Sequence, residues 1–222
     1  MIIKRIFDIL ASFMLIIVLF PVMFVCAIAI KLNDKGPVFF WQERLGYRTK
    51  TFWVIKFRTM IPNAVNQGTG FMTFRDDPRI TKVGKFLRNY RLDELPQLFN
   101  VLLGQMSLVG PRPLLPRDIH AYSDFDKRRM EVPPGMTGWQ QVNGASNHNW
   151  EQRINYDVWY VDHRSFWLDA KILFLTVKVV IKPTDVYDKD GQQLSGVPTA
   201  LRDKSPAQEI HSSSQENESS QQ

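Results

Sequence analysis

Between Ile6 and Ile30 the chain carries one charged side chain, Asp8, and is otherwise almost wholly apolar. At about 1.5 Å per residue, a helix of that length reaches past the roughly 30 Å hydrocarbon core of a bilayer. The run therefore reads as a membrane-inserted helix and not as the core helix of a soluble domain. Ala27-Ile28-Ala29 resembles a signal-peptide cleavage site. The apolar part of a signal peptide, however, is only about 7–15 residues long. Pro21, in the middle of the run, removes one backbone hydrogen bond and crowds the carbonyl one turn back, so a kink is expected there. A kinked spanning helix is one outcome, since membranes tolerate proline. The flanking charges favour another. Lys4 and Arg5 precede the run, and Lys31, Lys35, Arg44, Arg48 and Lys50 follow it. Positive flanks stay on the cytoplasmic side, and here both flanks are positive. A re-entrant helix, broken near Pro21, keeps both on one side and leaves the rest of the chain cytoplasmic.

A chain of 222 residues is long enough for one sizeable core. Its formal charge of +6 fits nucleic acid, an anionic membrane surface or phosphate-bearing substrates, without choosing among them. The single cysteine, Cys26, lies in the apolar run, so there is no disulfide framework and no Cys-based metal site. There is no internal repeat, no His/Cys cluster, and no GxGxxG or P-loop signature.

The chemistry-bearing stretch runs from Arg88 to Asn100. Leu92, Leu95, Phe99 and Leu102 recur at helical spacing and are expected to bury one side of a helix. Asp93, Gln97 and Asn100 line up on another side. Arg88 and Arg91 stand just before it. Two adjacent carboxylates, two guanidiniums and a helix start are what a protein needs to handle phosphate: the cations and N–H groups hold the anion, and a carboxylate attacks phosphorus or ligates a metal. Taken alone, an ordinary helix start explains the same residues, with Asp93 as N-cap, Glu94 in the first turn and Pro96 tolerated there.

The surroundings add cations. Pro37–Gln42 and Thr51–Arg58 read as two strands of a hairpin turned at Leu45–Lys50. Lys56 and Arg58 alternate with Ile55 and Phe57, so they share a face, which is either a solvated edge or a surface aimed at an anion. Residues 61–77 read as a loop. Thr81–Tyr90 reads as a helix with Lys82, Lys85 and Arg88 outward. Arg112 stands between Pro111 and Pro113, a stiff setting that solubility does not explain and phosphate positioning does. Residues 117–130 read as a polar helix and 133–144 as a turn-rich loop dense in glycine and amide side chains. Trp150–Val161 reads as a helix with Asp157 on a polar face. Phe166–Ile181, with Lys171, Lys178 and Lys182 along one side and Trp167 near its start, is either an interfacial amphipathic helix or a core helix with solvated lysines. Beyond Asp190, Gln, Ser, Glu and Asn dominate and a disordered polar tail is expected.

In combination these segments resemble the bacterial sugar transferase family, the monotopic phosphoglycosyl transferases, and most closely its short, PglC-like members. The resemblance rests on Lys4–Asp8, Lys56–Met60, Leu92–Val101, Met106–Pro113, Pro134–Trp139 and Gln141–Gly144, in that order, and covers about residues 4–187. It implies transfer of a phosphosugar from a UDP-sugar to undecaprenyl phosphate, giving a lipid-linked diphosphate sugar and UMP. It also implies a re-entrant membrane helix. It makes Asp93 the nucleophile and Glu94 its partner in handling Mg²⁺, so that both are catalytic and metal-site candidates. Lys56, Arg58, Arg88, Arg112, Gln141 and Asp157 are the substrate-binding candidates. Three positions depart from the pattern: Phe20 where Ser often precedes the membrane proline, Pro133 and Ala145 where Arg is frequent. They leave the geometry at Pro21 and the identity of the sugar open.

The expected architecture is α/β, mostly α with a small β-hairpin or sheet. It divides into a re-entrant membrane helix (1–33), a cytoplasmic catalytic domain with interfacial amphipathic helices (34–189) and the tail (190–222). The expected setting is the cytoplasmic face of the bacterial inner membrane, with inner-membrane phospholipid as a partner and a homo-oligomer compatible. Two other classes compete. A non-catalytic membrane-anchored scaffold binding anionic lipid does not need both Asp93 and Glu94. A membrane-tethered nucleic-acid binder is suggested only by charge and lacks a reading motif, so no nucleic acid is expected.

Overall fold

A computed structural model describes residues 2–67, 73–74, 76–144, 149–181 and 192–193. Helix α1 (Ile2–Asn33) is helical from end to end with Pro21 inside it. Its buried residues, Asp8, Ser12, Met23, Cys26 and Ile30, fall within about 60° of one another on a helix of 3.6 residues per turn. The buried stripe therefore keeps its register across Pro21. Phe13, Ile17, Val18, Phe20, Phe24 and Val25 on the remaining faces are exposed.

Both ends of α1 are tied to the same globular body. At the start, Arg5 donates from Nη1 to the Val101 carbonyl (2.6 Å) and from Nη2 to the Leu102 carbonyl (2.9 Å). The Leu108 amide donates to Asp8 Oδ1 at 3.2 Å. At the far end, Met23, Cys26 and Ile30 pack with Phe57 and Leu87 in one cluster.

Strands β1 (Phe39–Leu45) and β2 (Thr51–Phe57) form the expected antiparallel hairpin, in register from Phe39↔Phe57 to Leu45↔Thr51. Aromatic and β-branched residues suit this pleated, half-buried surface. A two-residue strand, β3 (Thr73–Phe74), comes next in the chain and pairs with β6, below. Helix α2 (Lys82–Asn89) follows, capped by Thr81, whose hydroxyl accepts from the Gly84 amide at 2.9 Å. Then come a 3₁₀ turn over Leu92–Glu94 and helix α3 (Gln97–Leu102). Strand β4 (Ser107–Val109), helix α4 (Asp124–Lys127), strand β5 (Gly135–Thr137), and helices α5 (Trp139–Val142), α6 (Trp150–His163) and α7 (Phe166–Ile181) complete the globular body. Strand β6 (Gln192–Gln193) pairs antiparallel with β3. The rest of the expected tail, with Ala145 and Lys182, lies outside the described residues. The molecule is thus mostly helical with three small sheets among the described residues.

The main core gathers Val54, Leu98, Val101, Met106, Val109, Tyr160 and Ile172 from β2, α3, β4, α6 and α7. Four expectations change. The stretch 92–102 is not one helix with Leu92, Leu95, Phe99 and Leu102 inward. It is a 3₁₀ turn and a short helix that bury Gln97, Leu98, Asn100 and Val101, while Phe99 is exposed. Asn100 explains the rotation. Its Oδ1 accepts from the Ile55 amide (3.0 Å) and its Nδ2 donates to the Trp53 carbonyl (2.7 Å), so it completes part-buried backbone groups of β2. The polar segment 117–130 is broken into 3₁₀ and α turns. The glycine-rich segment 133–144 is not a loop throughout. It holds β5, parallel to β4, and then α5. A Cβ on Gly135 would lie 2.1 Å from the Gly110 amide nitrogen, so glycine is what lets these strands approach. Finally, Arg88 turns inward from α2 while Lys82 and Lys85 are exposed.

Candidate active site

The Leu92–Glu94 turn begins at Arg91, which takes the left-handed conformation (φ 55°). This reversal presents Asp93 and Glu94 to a cavity of about 450 Å³. Lys56, Arg58, Arg88 and Arg112 line the same cavity, so four of the six substrate-binding candidates meet the acidic pair.

Different elements deliver each cation. Lys56 projects from β2 and donates to Glu94 Oε1 at 3.4 Å. Arg112 donates to the same oxygen at 2.6 Å. Its loop is held by β5: the Gly110 amide donates to the Thr137 carbonyl and the Gly135 amide to the Pro111 carbonyl, both at 2.9 Å. Arg88 Nε donates to Thr59 Oγ1 at 2.9 Å, which turns the guanidinium towards the cavity. Arg58 is buried and paired through Nη2 with Asp34, while its Nε and Nη1 have no partner among the described residues. A buried guanidinium with open N–H groups on a cavity wall is poised to bind an anion. Gly36 makes room for it, since a Cβ there would lie 2.0 Å from Arg58 Nη1.

The two carboxylates are driven apart electrostatically. Burial opposes the ionisation of Glu94, but Arg112 and Lys56 outweigh it and hold this carboxyl well below the usual range. Burial and the neighbouring Glu94 charge push Asp93 up to about 6. Burial also pushes Lys56 down to about 8, against the pull of Glu94. Glu94 is therefore a fixed charge bound to cations. Asp93 is a less stabilised carboxylate, the more basic and so the better nucleophile of the two. A reaction that used Asp93 as its nucleophile would, without divalent cation, slow about tenfold per pH unit below about 6. Adding a divalent cation stabilises the ionised form and should move this limb to lower pH. A flat profile from pH about 7 to about 5 in its absence would contradict this account of Asp93.

The other two candidates lie elsewhere. Asp157 is not on a solvated polar face but buried and paired with Arg129, which also donates to the Arg112 carbonyl at 3.1 Å. It stands one layer behind the cavity and steadies the Arg112 loop. Burial pushes its carboxyl up to about 6 against the pull of Arg129. Gln141, on α5, lines a second cleft of about 210 Å³. Sequence reasoning missed Asp34, Gly36, Thr59 and Arg129. Thr59 stands in the quoted Lys56–Met60 segment, whereas the others carry no local signal, because their partners are remote in the chain.

The donor set suits Mg²⁺. No group of three or more His, Cys, Asp or Glu side chains gathers among the described residues. The adjacent Asp93 and Glu94 carboxylates offer the one or two protein oxygens that Mg²⁺ takes when substrate phosphates and water complete its shell.

A family model for the bacterial sugar transferases matches residues 1–183. The chain is 45% identical over 181 residues to "Uncharacterized sugar transferase EpsL" of Bacillus subtilis, covering 82% of this chain and 88% of that protein. It is 42% identical over 186 residues to "Undecaprenyl-phosphate glucose phosphotransferase" of Komagataeibacter xylinus, covering 79% of this chain and 35% of that one. With "UDP-glucose:undecaprenyl-phosphate glucose-1-phosphate transferase" of Klebsiella pneumoniae the identity is 44% over 191 residues, covering 80% and 40%. The chain thus spans most of the Bacillus relative and well under half of the other two. With an acidic pair, five converging cations (Arg44, Lys56, Arg58, Arg88 and Arg112) and a match over 183 residues, the chain belongs to the bacterial sugar transferase family.

Proposed function

We propose that the protein is a UDP-sugar:undecaprenyl-phosphate sugar-1-phosphate transferase that works through a covalent Asp93 intermediate. The observation that carries this reading is the placement of a half-buried Asp93 beside a cation-bound Glu94 on a cavity lined by Arg44, Lys56, Arg58, Arg88 and Arg112. The names of the Komagataeibacter and Klebsiella relatives support the substrate pair.

The cations neutralise the diphosphate so that a carboxylate can approach it. An Asp93 Oδ lone pair forms a bond to the phosphorus that bears the sugar. The bond from that phosphorus to the bridging oxygen breaks, and UMP leaves with the electron pair. An oxygen of undecaprenyl phosphate then bonds to the same phosphorus, the Asp93–phosphorus bond breaks, and Asp93 returns as carboxylate. Arg112 and Lys56 keep Glu94 ionised throughout, and Arg58 and Arg88 offer N–H groups to phosphate oxygens. Mg²⁺, held by Asp93 and Glu94, supplies further neutralisation of phosphate charge when bound.

The membrane arrangement follows from α1. The ties of α1 to one body at Arg5 and Asp8 and again at Cys26 and Ile30 support the reading that both of its ends lie on one side of the bilayer, although α1 runs unbroken through Pro21 where a break was expected. Its exposed apolar faces, and Trp167, Phe174 and Val177 of α7, then rest in phospholipid at the cytoplasmic face of the inner membrane. A cysteine placed at residue 2 should be labelled from the cytoplasm by a membrane-impermeant reagent; labelling from the outside would end the re-entrant reading.

The activity itself is tested with radiolabelled UDP-sugars, undecaprenyl phosphate and Mg²⁺. Transfer with release of UMP is expected for at least one sugar. No turnover across a UDP-sugar panel by folded protein would overturn the proposal.

A further inference from the structure

The second cleft opens between α1 and α7. Its lining is largely apolar, with Leu15 and Leu19 from α1 and Leu173, Val179 and Val180 from α7. Its polar lining residues are Arg91, Glu94, Thr137, Gln141 and Thr176, the two threonine hydroxyls being paired with each other. Glu94 also lines the larger cavity, so the two spaces share this carboxylate. Gln141 is only 8% exposed, and neither its Nε2 nor its Oε1 has a partner among the described residues. A buried amide with both polar atoms open costs stability, and such a group is explained by a ligand that completes it.

We propose that this cleft receives the polyprenyl acceptor, with the first isoprene units between α1 and α7 and the phosphate drawn to Gln141 and Arg91 beside Glu94. The inference rests on the transferase reading and adds where the second substrate enters. Three features select this occupant. The apolar walls exclude a nucleotide or a free sugar. The one cation and open amide in its lining match a single anionic head. Val18 of α1, next to the lining residue Leu19, and Phe174 and Val177 of α7, next to the lining residues Leu173 and Thr176, are exposed and apolar, as a lipid-facing surface beside the cleft requires. A volume of about 210 Å³ holds the beginning of a long chain and leaves the remainder in the bilayer. The sugar donor and the lipid thus approach Asp93 and Glu94 through separate doors.

Filling the cleft tests this. Leu15→Trp and Val179→Trp, on α1 and α7, are made in the full chain, with thermal unfolding and the release of UMP from donor alone reporting fold. Transfer is measured to an eleven-isoprene and a two-isoprene phosphate. Both variants should lose about tenfold in kcat/KM for the long acceptor and less than about threefold for the short one. Gln141→Leu should raise KM for both acceptors about tenfold without raising that for the UDP-sugar. Equal losses for long and short acceptors, no loss for either, or a Gln141 effect confined to the UDP-sugar would overturn the assignment. A benzophenone-bearing polyprenyl phosphate reads binding without turnover. Crosslinks to α1 and α7 that vanish in the tryptophan variants support the cleft even in protein that fails every donor assay; crosslinks elsewhere overturn it.

Discussion

Asp93→Asn is expected to stop UMP release and transfer together, with turnover down by about 10⁴-fold or more, as when the nucleophile of a covalent mechanism is removed. The same substitution should make the protein more stable. Folding holds the Asp93 carboxyl at about 6 against an ordinary value of 3.8, because it is buried and adjoins Glu94. A group whose folded-state pKa is raised binds its proton more tightly when folded. Its ionisation therefore works against the fold as pH rises through that window. Asparagine never ionises, so at neutral pH and without divalent cation the variant should gain on the order of 1–3 kcal/mol. The gain should vanish below pH about 4, where both states of the native protein are protonated. Thermal unfolding at the two pH values, beside a UMP assay, separates chemistry from folding. Retained UMP release would remove Asp93 as nucleophile, and an unchanged melting temperature at neutral pH would mean that its carboxylate is not strained by its surroundings.

Arg112→Ala should cost about 10²–10³-fold in kcat/KM, the scale set by removing one preorganised charge partner from a site where charge is transferred. The residue makes the shorter of the two contacts to Glu94, at 2.6 Å against 3.4 Å from Lys56. Without it, Lys56 is the remaining ion-pair partner of Glu94, and the cavity loses one of its five lining cations. Arg112→Lys should recover only part of the rate. A lysine ammonium is a point charge and cannot present the planar fork that meets a carboxylate and a phosphate at once. Steady-state kinetics should place the loss in both kcat and the KM for the UDP-sugar. A lysine variant at full rate would reduce Arg112 to a source of bulk charge.

The residues that the sequence singles out and the structure gathers on one cavity each carry a local pattern. Asp93 and Glu94 are adjacent, Arg88 lies one turn upstream, and the proline pair announces Arg112. The hairpin and α7 were legible too, since strand alternation and a long apolar periodicity are short-range patterns. The packing direction of α3 was not. Leu and Phe spacing suggested one inward face, but the backbone of β2 needed Asn100, and satisfying two part-buried peptide groups outweighed hiding Phe99. Strand β5 was hidden for a similar reason. Gly135-Met136-Thr137 has no alternation to speak of and becomes a strand only because β4, 28 residues earlier, offers a partner. Asp157 misled because a carboxylate on a helix is usually solvated; its buried partner Arg129 lies in another element.

The way α1 is fastened has a consequence for anyone handling the protein. Its buried stripe closes the clusters around Phe57 and Leu87, and Arg5 and Asp8 occupy backbone groups at Val101, Leu102 and Leu108. This is no leash that can be clipped to release a working enzyme into water. Truncation would strip a wall from the catalytic body itself, so the segment that seems dispensable for solubility is one the fold cannot do without.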